Sequence, residues 1–370
     1  MRDLTGPEHT SGSYEARDVR FLLTRIDMAP TEVVEKERRI QTGAAHYSEM
    51  ISEERRPDDR YLSLFESACV PGVPRLARDI RSLSRQIVDR IGSGDLSEQI
   101  TLCSLVRAGV PYGVLLKRDL ERAGVDVAHF GVSIIRDRGL DDVAMRHVLS
   151  ERPVDGVVFV DGWTGKGAIT SELERSWREI TGRDPLLAVI ADPCGRAGLC
   201  ASRDDWLIPS GILGGNVSGL ISRSILRPDL TGPDAYHGYV ALDHLADIDL
   251  SRDFVNRVDA ELTRISGAVP IRADTTEDQA RTFRSGAEAT VSRIAEMFAV
   301  ENLNRIKPGI AEATRAVLRR RPDQVLVRSA TGDPDLSALL HLCERDEVPV
   351  TEAPDLTGPY RAVTLIQRTS

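Results

Sequence analysis

Short apolar runs alternate with helix-like segments through the middle of the chain, and no other feature constrains the fold as strongly. The runs are ITLCSLV, VDVAHFGVSII, VDGVVFVD and PLLAVIAD, separated by segments such as GVLLKRDLERAG and GAITSELERSWREITG. Apolar runs separated by helices of about 10 to 15 residues are typical of βαβ units. The pattern predicts an α/β fold, with a parallel sheet and helices on both faces. In such folds, ligands bind at the carboxyl ends of the strands.

The length of the chain favours two folding units. It has 370 residues, of which 41% are hydrophobic, and domains commonly span about 100 to 200 residues. A polar stretch without periodicity separates the large α/β pattern from a smaller one near the end. We therefore expect a first domain with a helical lead-in over residues 1–265, a linker over 266–285, and a second α/β domain over 286–370.

Two amphipathic segments before the sheet predict helices. The first lies in TEVVEKERRIQTGAAHYSEMISEERR, where Thr31 and Glu35 lie near a plausible helix start. In the second, apolar residues recur at helical spacing over Leu76–Ile91, and Gly92 supplies a stop.

Charge and cysteine usage limit the classes of function. The net charge of -9 argues against nonspecific nucleic-acid binding by the whole molecule. There is no basic start followed by an apolar stretch, and no run of about 18 apolar residues, so we expect a cytoplasmic protein with no membrane partner. The cysteines are odd in number and lack Cys-x-x-Cys spacing, which disfavours a disulfide framework and a structural zinc site.

One strand-end loop, in VVFVDGWTGKGAIT, has the features of a phosphate site. An ATPase phosphate loop needs four residues between its glycines and a Ser or Thr after the Lys. Here two residues separate Gly162 from Gly165, and Gly167 follows Lys166. An acid, a short turn and a helix start remain. The amides of residues 164–167 are expected to bind a phosphate, and Asp161 to accept hydrogen bonds from sugar hydroxyls.

A second loop follows the preceding strand in LCSLVRAGVPYG. Arg107, Ala108 and Gly109 come directly after the apolar run, and a helix-like segment follows them. An Arg that binds two oxygens, together with nearby amide donors, suits a departing pyrophosphate. We expect this loop to bind pyrophosphate.

Two further segments each have two interpretations. Arg136 and Arg138 follow an apolar run, and they form either a solvated turn or a cationic lid over the diphosphate. Asn216, Ser218 and Arg223 lie among small residues, and they form either an acceptor pocket or a tight packing turn.

The first loop resembles the phosphoribosyl pyrophosphate (PRPP) loop of type I phosphoribosyltransferases. Asp161 matches the first acid of that family's pair, and Gly162 replaces the second. The resemblance implies magnesium that arrives with PRPP, and catalytic roles for Asp161, Arg107 and Arg136. It also implies PRPP contacts at Asp161, Gly162, Thr164, Gly165, Lys166 and Gly167.

The tail GIAEATRAVLRRRPDQVLVRSATGDPDLSALLHLCERDEVPV resembles the pelota superfamily of RNA-binding domains. Four residues match its helix start: Gly309, Glu312, Thr314 and Arg315. Ala311 replaces an Asn. The resemblance implies contacts to structured RNA by these four residues and Lys307, with Glu312 on a guanine edge and Arg315 on phosphate. Seven cations against three anions over residues 301–330 agree with such a role, and so does an ordinary solvated helix end.

Taken together, these segments resemble one bacterial family along nearly the whole chain. It combines a phosphoribosyltransferase-like domain with a pelota-type domain and is associated with tellurium-resistance stress operons. Some members carry the label cysteine protease StiP. Since a fold alone does not fix function, three hypotheses follow: a magnesium-dependent pentosyl transferase, a non-catalytic phosphoribosyl-metabolite sensor that binds RNA, and a cysteine protease. A homodimer is left open. Candidates for proteolysis are Cys194 or Cys200 with His237 or His244.

Overall fold

The computed structural model describes residues 10–232, 234–265 and 277–368. The helices are α1 Val33–Gln41, α2 Asp59–Ser93, α3 Val110–Arg122, α4 Asp142–Glu151, α5 Ala168–Thr181, α6 Pro228–Thr231, α7 Ser251–Arg264, α8 Glu277–Met297, α9 Ile310–Arg319, α10 Ser337–Arg345 and α11 Pro354–Thr357. None of the helices in these ranges is both long enough and apolar enough to cross a membrane.

The strands form one large sheet, one smaller sheet and two short pairs. They are β1 Arg20–Phe21, β2 Thr24–Arg25, β3 Gln99–Leu105, β4 Asp126–Val132, β5 Ile134–Ile135, β6 Gly139–Leu140, β7 Val157–Trp163, β8 Leu187–Ala191, β9 Leu199–Ser202, β10 Gly238–Tyr239, β11 Ile306–Pro308, β12 Pro322–Val327, β13 Val350–Glu352 and β14 Ala362–Ile366.

The large sheet has the order β1-β4-β3-β7-β8-β9, and all its neighbouring strands are parallel. The four apolar runs became β3, β4, β7 and β8. Along β3, Ile100 and Leu102 face one apolar cluster with α2, α3 and α7, whereas Cys103 and Leu105 face another with α4 and α5. Burial on both faces explains the near-continuous apolar runs. The predicted α/β fold with helices on both faces is confirmed.

The C-terminal part has its own sheet, of order β11-β14-β12-β13. β14 is antiparallel to β11 and β12, and β12 is parallel to β13. Apolar residues of α9 and α10, including Ile310 and Leu339, belong to the same cluster as Leu76 in α2 and Val160 in β7. The apolar core therefore runs without interruption from the large domain into the C-terminal domain.

Three element boundaries differ from the sequence predictions. Helix α2 begins at Asp59 instead of Leu76, with Asp58 as its N-cap, and it continues through Pro71 and Pro74, while Gly72 allows close contact with Pro209. Its C-terminal cap is Gly94, in the left-handed conformation, instead of Gly92. In the expected linker, residues 266–276 lie outside the described ranges and 277–285 belong to helix α8.

One buried carboxylate joins the two domains. Asp205, which is 7% exposed, lies in the large domain after β9. Its oxygens accept hydrogen bonds from the Ile310 amide at 3.0 and 3.1 Å and from the Arg361 amide at 2.8 Å. Burial raises its pKa to about 6, although the two amides oppose this shift. Asp205 thus satisfies a free amide at the start of α9 from across the domain boundary.

We expect Asp205→Ala to lower the free energy of unfolding by about 1 to 3 kcal/mol, because two buried amides lose their acceptor. Chemical denaturation measures this change. The control is Asp323→Ala at an exposed position of β12, where we expect a change within about 0.5 kcal/mol. Equal effects of the two substitutions would contradict the role of Asp205 in docking.

Candidate functional site

The carboxyl ends of β3 and β7 face the C-terminal domain across a cleft of about 1050 Å³, which includes its open mouth. This is the edge of the sheet at which the fold predicts a ligand. Both domains line it. The large domain contributes Arg107, Ala108, Arg136, Asp161 and residues 164–167, and the C-terminal domain contributes Lys307, Glu312, Arg315 and Arg319.

Asp161 lies half-buried in β7, next to residues 164–167, which form the expected phosphate loop. One carboxylate oxygen accepts a hydrogen bond from the Gly162 amide at 2.8 Å. Burial raises the pKa of Asp161 to about 7, and Glu312 adds to the rise, whereas the Gly162 amide and Arg315 oppose it. A carboxylate that is partly shielded from water at the end of a strand is a good acceptor for ligand hydroxyls.

Gly162 stands where the resemblance implies a second acid, and the structure gives the reason. A Cβ atom at this position would lie 2.7 Å from the ring of Tyr112. Tyr112 belongs to α3, and its hydroxyl lies 2.8 Å from Ser210 Oγ. The volume that a second carboxylate would need is therefore filled by an aromatic side chain, and Asp161 is the single acid of this loop.

The phosphate loop leads into α5 with Gly167 as its N-cap, at a φ of 82° that favours glycine. Within the described ranges, the amides of residues 165–167 donate to no protein acceptor. The Thr164 amide differs from the prediction: it donates to the Ala191 carbonyl at 3.0 Å. Its hydroxyl donates to Asp192 at 2.5 Å. Three amides and the start of α5 thus remain for an anion.

Lys166 does not point its ammonium at an open phosphate position. The ammonium donates to the carbonyls of Leu303 and Ile306 in the C-terminal domain, the latter at 3.2 Å. Burial lowers the pKa of Lys166 to about 7, and Lys307 and Arg136 lower it further. In this arrangement, the Lys166 side chain stabilises the contact between the domains.

Arg107, in the expected pyrophosphate loop, is already paired. Its guanidinium contacts the Glu54 carboxylate at 2.5 and 2.6 Å and the Ile221 carbonyl at 2.9 Å. Only 5% of Arg107 is exposed. The loop approaches the sheet closely, because a Cβ atom on Gly109 would collide with the Val160 carbonyl. Arg107 therefore lines the cleft as half of an ion pair.

The expected cationic lid is the turn between β5 and β6. Arg136 lines the cleft, and one of its guanidinium nitrogens donates to Asn304 Oδ1 at 3.0 Å. Its backbone amide donates to the Tyr47 hydroxyl at 2.8 Å. Arg138 is exposed and does not line the cleft. The structure brings only the first of these two arginines to the candidate site.

The expected acceptor pocket is divided. Arg223 lines the cleft, Asn216 lines a neighbouring cavity, and Ser218 lines neither. Asn216 and Ser218 are each 2% exposed. The nearby Gly214 allows the backbone to approach the Glu54 side chain closely. The small residues of this segment thus serve packing around an ion pair, and two of the three side chains reach a cavity.

The pelota-type motif faces the same cleft. The Arg315 guanidinium lies 4.5 Å from the centre of the Trp163 ring, next to the phosphate loop. In the described part of the chain, the side chains of Arg315 and Lys307 make no hydrogen bond or ion pair to protein. Burial lowers the pKa of Lys307 to about 8. Burial opposes ionisation of Glu312, but Lys307 and Arg315 outweigh it and lower its pKa.

Two other motif residues have structural roles. Gly309 is the N-cap of α9 at a φ of 90°. Thr314 is fully buried, and its hydroxyl donates to the Ile310 carbonyl at 2.7 Å. Gly309 has no side chain and the Thr314 hydroxyl is engaged, so neither residue presents a polar side-chain group to a ligand.

Sequence reasoning missed two contacts that complete the cleft. The Tyr360 hydroxyl donates to the Gly165 carbonyl at 2.9 Å, and Arg319 lies 3.5 Å from Glu54. Tyr360 and Gly165 are 195 positions apart in the chain. No local spacing signals such a pair.

The charges of the cleft suit an anion that carries its own metal ion. The two carboxylates of the cleft, Asp161 and Glu312, face seven cations: Arg107, Arg136, Lys166, Arg223, Lys307, Arg315 and Arg319. Among the described residues, no group of three His, Cys, Asp or Glu side chains has the arrangement of a metal site. Two carboxylates in a cleft rich in cations fit magnesium held mainly by ligand phosphates.

None of the five cysteines, all of which lie in the described ranges, forms a disulfide. Cys194 is 2% exposed, and its sulfur lies 4.0 Å from Asp192 Oδ1. Burial raises its pKa to about 12, and Asp192 adds to the rise. His237 lies 2.8 Å from Ser133 Oγ, and His244 lies 3.0 Å from the Glu54 carbonyl. These contacts do not place either histidine as a base for Cys194.

Comparison with known families gives two matches. A family described as tellurite-like stress resistance cysteine protease StiP matches residues 12–259. A PELOTA RNA binding domain matches residues 285–368. The chain is also 44% identical to the protein named cysteine protease StiP from Acinetobacter baylyi, over 97% of this chain and 94% of that protein.

Solved structures show a more distant likeness. The hypoxanthine phosphoribosyltransferase of Trypanosoma cruzi is 13% identical, over 35% of this chain and 78% of that one, with a TM-score of 0.28. A hypoxanthine-guanine phosphoribosyltransferase from Bacillus anthracis is 14% identical, over 35% and 77%, with a TM-score of 0.27.

We expect Gly162→Ala to lower the free energy of unfolding by about 1 to 3 kcal/mol, because the new methyl group overlaps the Tyr112 ring. Gly165→Ala in the same loop is the control. There a Cβ atom would meet its nearest neighbours at 3.4 Å, an ordinary contact, so we expect a change within about 0.5 kcal/mol. Denaturant titration measures both, and an unaffected Gly162→Ala variant would show that Tyr112 does not exclude the second acid.

Proposed function

We propose that this chain, which belongs to the StiP family, binds PRPP in the cleft and transfers its pentosyl group to a base-like acceptor. In this proposal Asp161 accepts hydrogen bonds from the ribose hydroxyls. The amides of residues 165–167 bind the 5-phosphate. Arg136, Lys307 and Arg315 face the diphosphate.

One observation carries the proposal. The side chains of two cations of the C-terminal domain, Lys307 and Arg315, make no hydrogen bond or ion pair to protein within the described ranges, and they share a cleft with three free amides and Asp161. Cations and amide donors that have no protein partner are the usual partners of phosphate groups. A carboxylate beside them suits a sugar that carries both hydroxyls and phosphates.

The proposed reaction needs no covalent bond to the protein. A lone pair on an acceptor nitrogen forms the new bond to the sugar carbon as the bond from that carbon to the diphosphate oxygen breaks. The electron pair of the broken bond leaves with pyrophosphate. Positioning of the two reactants and stabilisation of the departing charge by Arg315 and Lys307 then supply catalysis.

Magnesium, when bound with PRPP, neutralises part of the diphosphate charge. The chain's own contribution is to orient the ligand with Asp161 and to surround the phosphates with cations. Because only two carboxylates line the cleft, the proposal assigns most magnesium ligands to PRPP itself.

The alternative that must be distinguished from this proposal is a non-catalytic sensor that binds RNA. The C-terminal domain matches an RNA-binding domain, but its motif cations Lys307 and Arg315 line the cleft. RNA and PRPP would then compete for the same side chains. A sensor predicts that PRPP lowers RNA affinity without turnover, whereas an enzyme releases pyrophosphate when the acceptor is present.

We expect PRPP with magnesium to bind the full chain, and Asp161→Asn and Arg315→Ala each to weaken it about 10- to 100-fold, as for loss of one charge-assisted hydrogen bond. Isothermal titration calorimetry measures this. Arg321→Ala, at an exposed position of the same domain, is the matched control and should bind normally.

The Asp161→Asn effect should depend on pH. With a pKa of about 7, Asp161 is ionised above pH 7 and accepts hydrogen bonds there. Below that pH it is protonated, so the affinity ratio of wild type to variant should shrink as the pH falls through 7. No PRPP binding by folded wild-type protein, or a pH-independent ratio, would contradict the assignment.

Cysteine proteolysis is the second candidate, because the 44% identical relative is named a cysteine protease. Cys194 is connected to the loop at residues 164–167 by Asp192, which its thiol contacts and which accepts a hydrogen bond from Thr164. Catalysis by a thiol needs the thiolate, whereas burial raises the pKa of Cys194 to about 12. The arrangement around this thiol therefore favours a packing role.

If Cys194 has only this packing role, Cys194→Ala should leave any peptidase activity of the purified chain unchanged. Hydrolysis of a casein substrate, before and after iodoacetamide treatment, measures it. Activity that is lost both in Cys194→Ala and after thiol alkylation, in folded protein, would revive the protease assignment. Cys343→Ala, at another buried thiol, is the control.

A further inference from the structure

A second cavity, of about 930 Å³ including its open mouth, adjoins the cleft. It shares Arg107, Arg223 and Arg319 with the cleft, so these three arginines stand between the two spaces. Its remaining wall comes from the segment before α2, the loop at residues 212–216, and the C-terminal helices. Apolar side chains cover one part of this wall: Leu213, Leu242 and Leu318.

An unused hydrogen-bond donor lines this cavity. Asn216 is 2% exposed, and its side-chain oxygen accepts from the Gly214 amide at 3.2 Å. Its side-chain nitrogen is buried and has no partner in the described part of the chain, and the same holds for Ser52 Oγ. A buried donor left without an acceptor costs about 1 to 3 kcal/mol. These two groups indicate a ligand that brings acceptor atoms.

Seven cations line this cavity against two carboxylates, Glu53, which is exposed, and Glu54. Glu54 is engaged by Arg107 and Arg319. Arg223 donates to the backbone carbonyls of Tyr47, Met50 and Ser224.

Lys36 is a further cation that lines this cavity. It is 7% exposed, and its ammonium makes no hydrogen bond within residues 10–232, 234–265 and 277–368. Its neighbour Glu37 is paired with Arg320. A buried ammonium and a guanidinium without acidic partners favour an anionic ligand.

The distribution of lysine points the same way. Of the 48 Lys and Arg residues, four are lysines. Three of these line the cleft or the second cavity: Lys36, Lys166 and Lys307. A compact ammonium binds a single anionic group as a point charge, whereas a guanidinium forms a planar fork.

We infer that the second cavity binds a small organic acid, whose carboxylate contacts Lys36 and the Asn216 amide, and whose apolar body lies against Leu213, Leu242 and Leu318. The binding itself is independent of the proposed function. That this acid is the acceptor for the pentosyl group rests on the proposed function, because the shared arginines place it next to the PRPP cleft.

The test compares acids with their neutral amides in the absence of PRPP. The probes are benzoate against benzamide and nicotinate against nicotinamide, titrated calorimetrically into the full chain. We expect at least one acid to bind about tenfold or more tightly than its amide. Lys36→Met should abolish that preference, and Lys117→Met, at a lysine of α3 that lines neither the cleft nor the second cavity, should retain it. Circular dichroism confirms that both variants are folded.

Three results would overturn the inference: no acid binds, both acids bind no better than their amides, or Lys36→Met keeps the preference. Acetylation of lysines read by mass spectrometry then separates the two sites. The acid should slow labelling of Lys36, whereas PRPP should slow labelling of Lys166 and Lys307. Failure with PRPP alone would count against the proposed function and leave the acid site standing.

Discussion

The buried carboxylate of Asp205 is the contact on which the candidate site depends. It accepts hydrogen bonds from the amide that starts α9 and from the Arg361 amide of the C-terminal domain. A carboxylate that is buried stays stable only with such partners. Because α9 carries Arg315 and Arg319, this one contact sets where two cations of the cleft lie. A continuous apolar core beneath it holds the same arrangement.

This docking changes the meaning of several loop residues. Lys166 lies in a loop that resembles a phosphate site, but its ammonium donates to carbonyls of the C-terminal domain. Arg315 lies in a motif that resembles an RNA contact, but it stacks on Trp163 beside that loop. Lys166 of the large domain thus contacts the C-terminal domain, and Arg315 of the C-terminal domain contacts the large domain. The cationic charge near the loop is therefore supplied largely by the second domain.

Sequence reasoning succeeded where the physical cause is local. Runs buried on both faces of a sheet must be apolar, which is why strands β3, β4, β7 and β8 could be predicted from the sequence. The positions of the strand-end loops were also predictable, since each loop directly follows an apolar run, whereas the ligands assigned to them stay predictions. The loss of a second acid at Gly162 was visible, but its cause was not, because Tyr112 lies on another element. Pairs such as Tyr360 with Gly165 depend on docking of two domains, which leaves no local pattern.

A crystal structure of the full chain grown with PRPP and magnesium tests the central claim most directly, namely that both domains bind one ligand in the cleft. The account predicts ribose hydroxyls within hydrogen-bond distance of Asp161, phosphate oxygens on the amides of residues 165–167, and diphosphate oxygens near Lys307 and Arg315, with α9 still capped by Asp205. Ligand bound elsewhere, or bound in this loop with the C-terminal domain moved away, would contradict it.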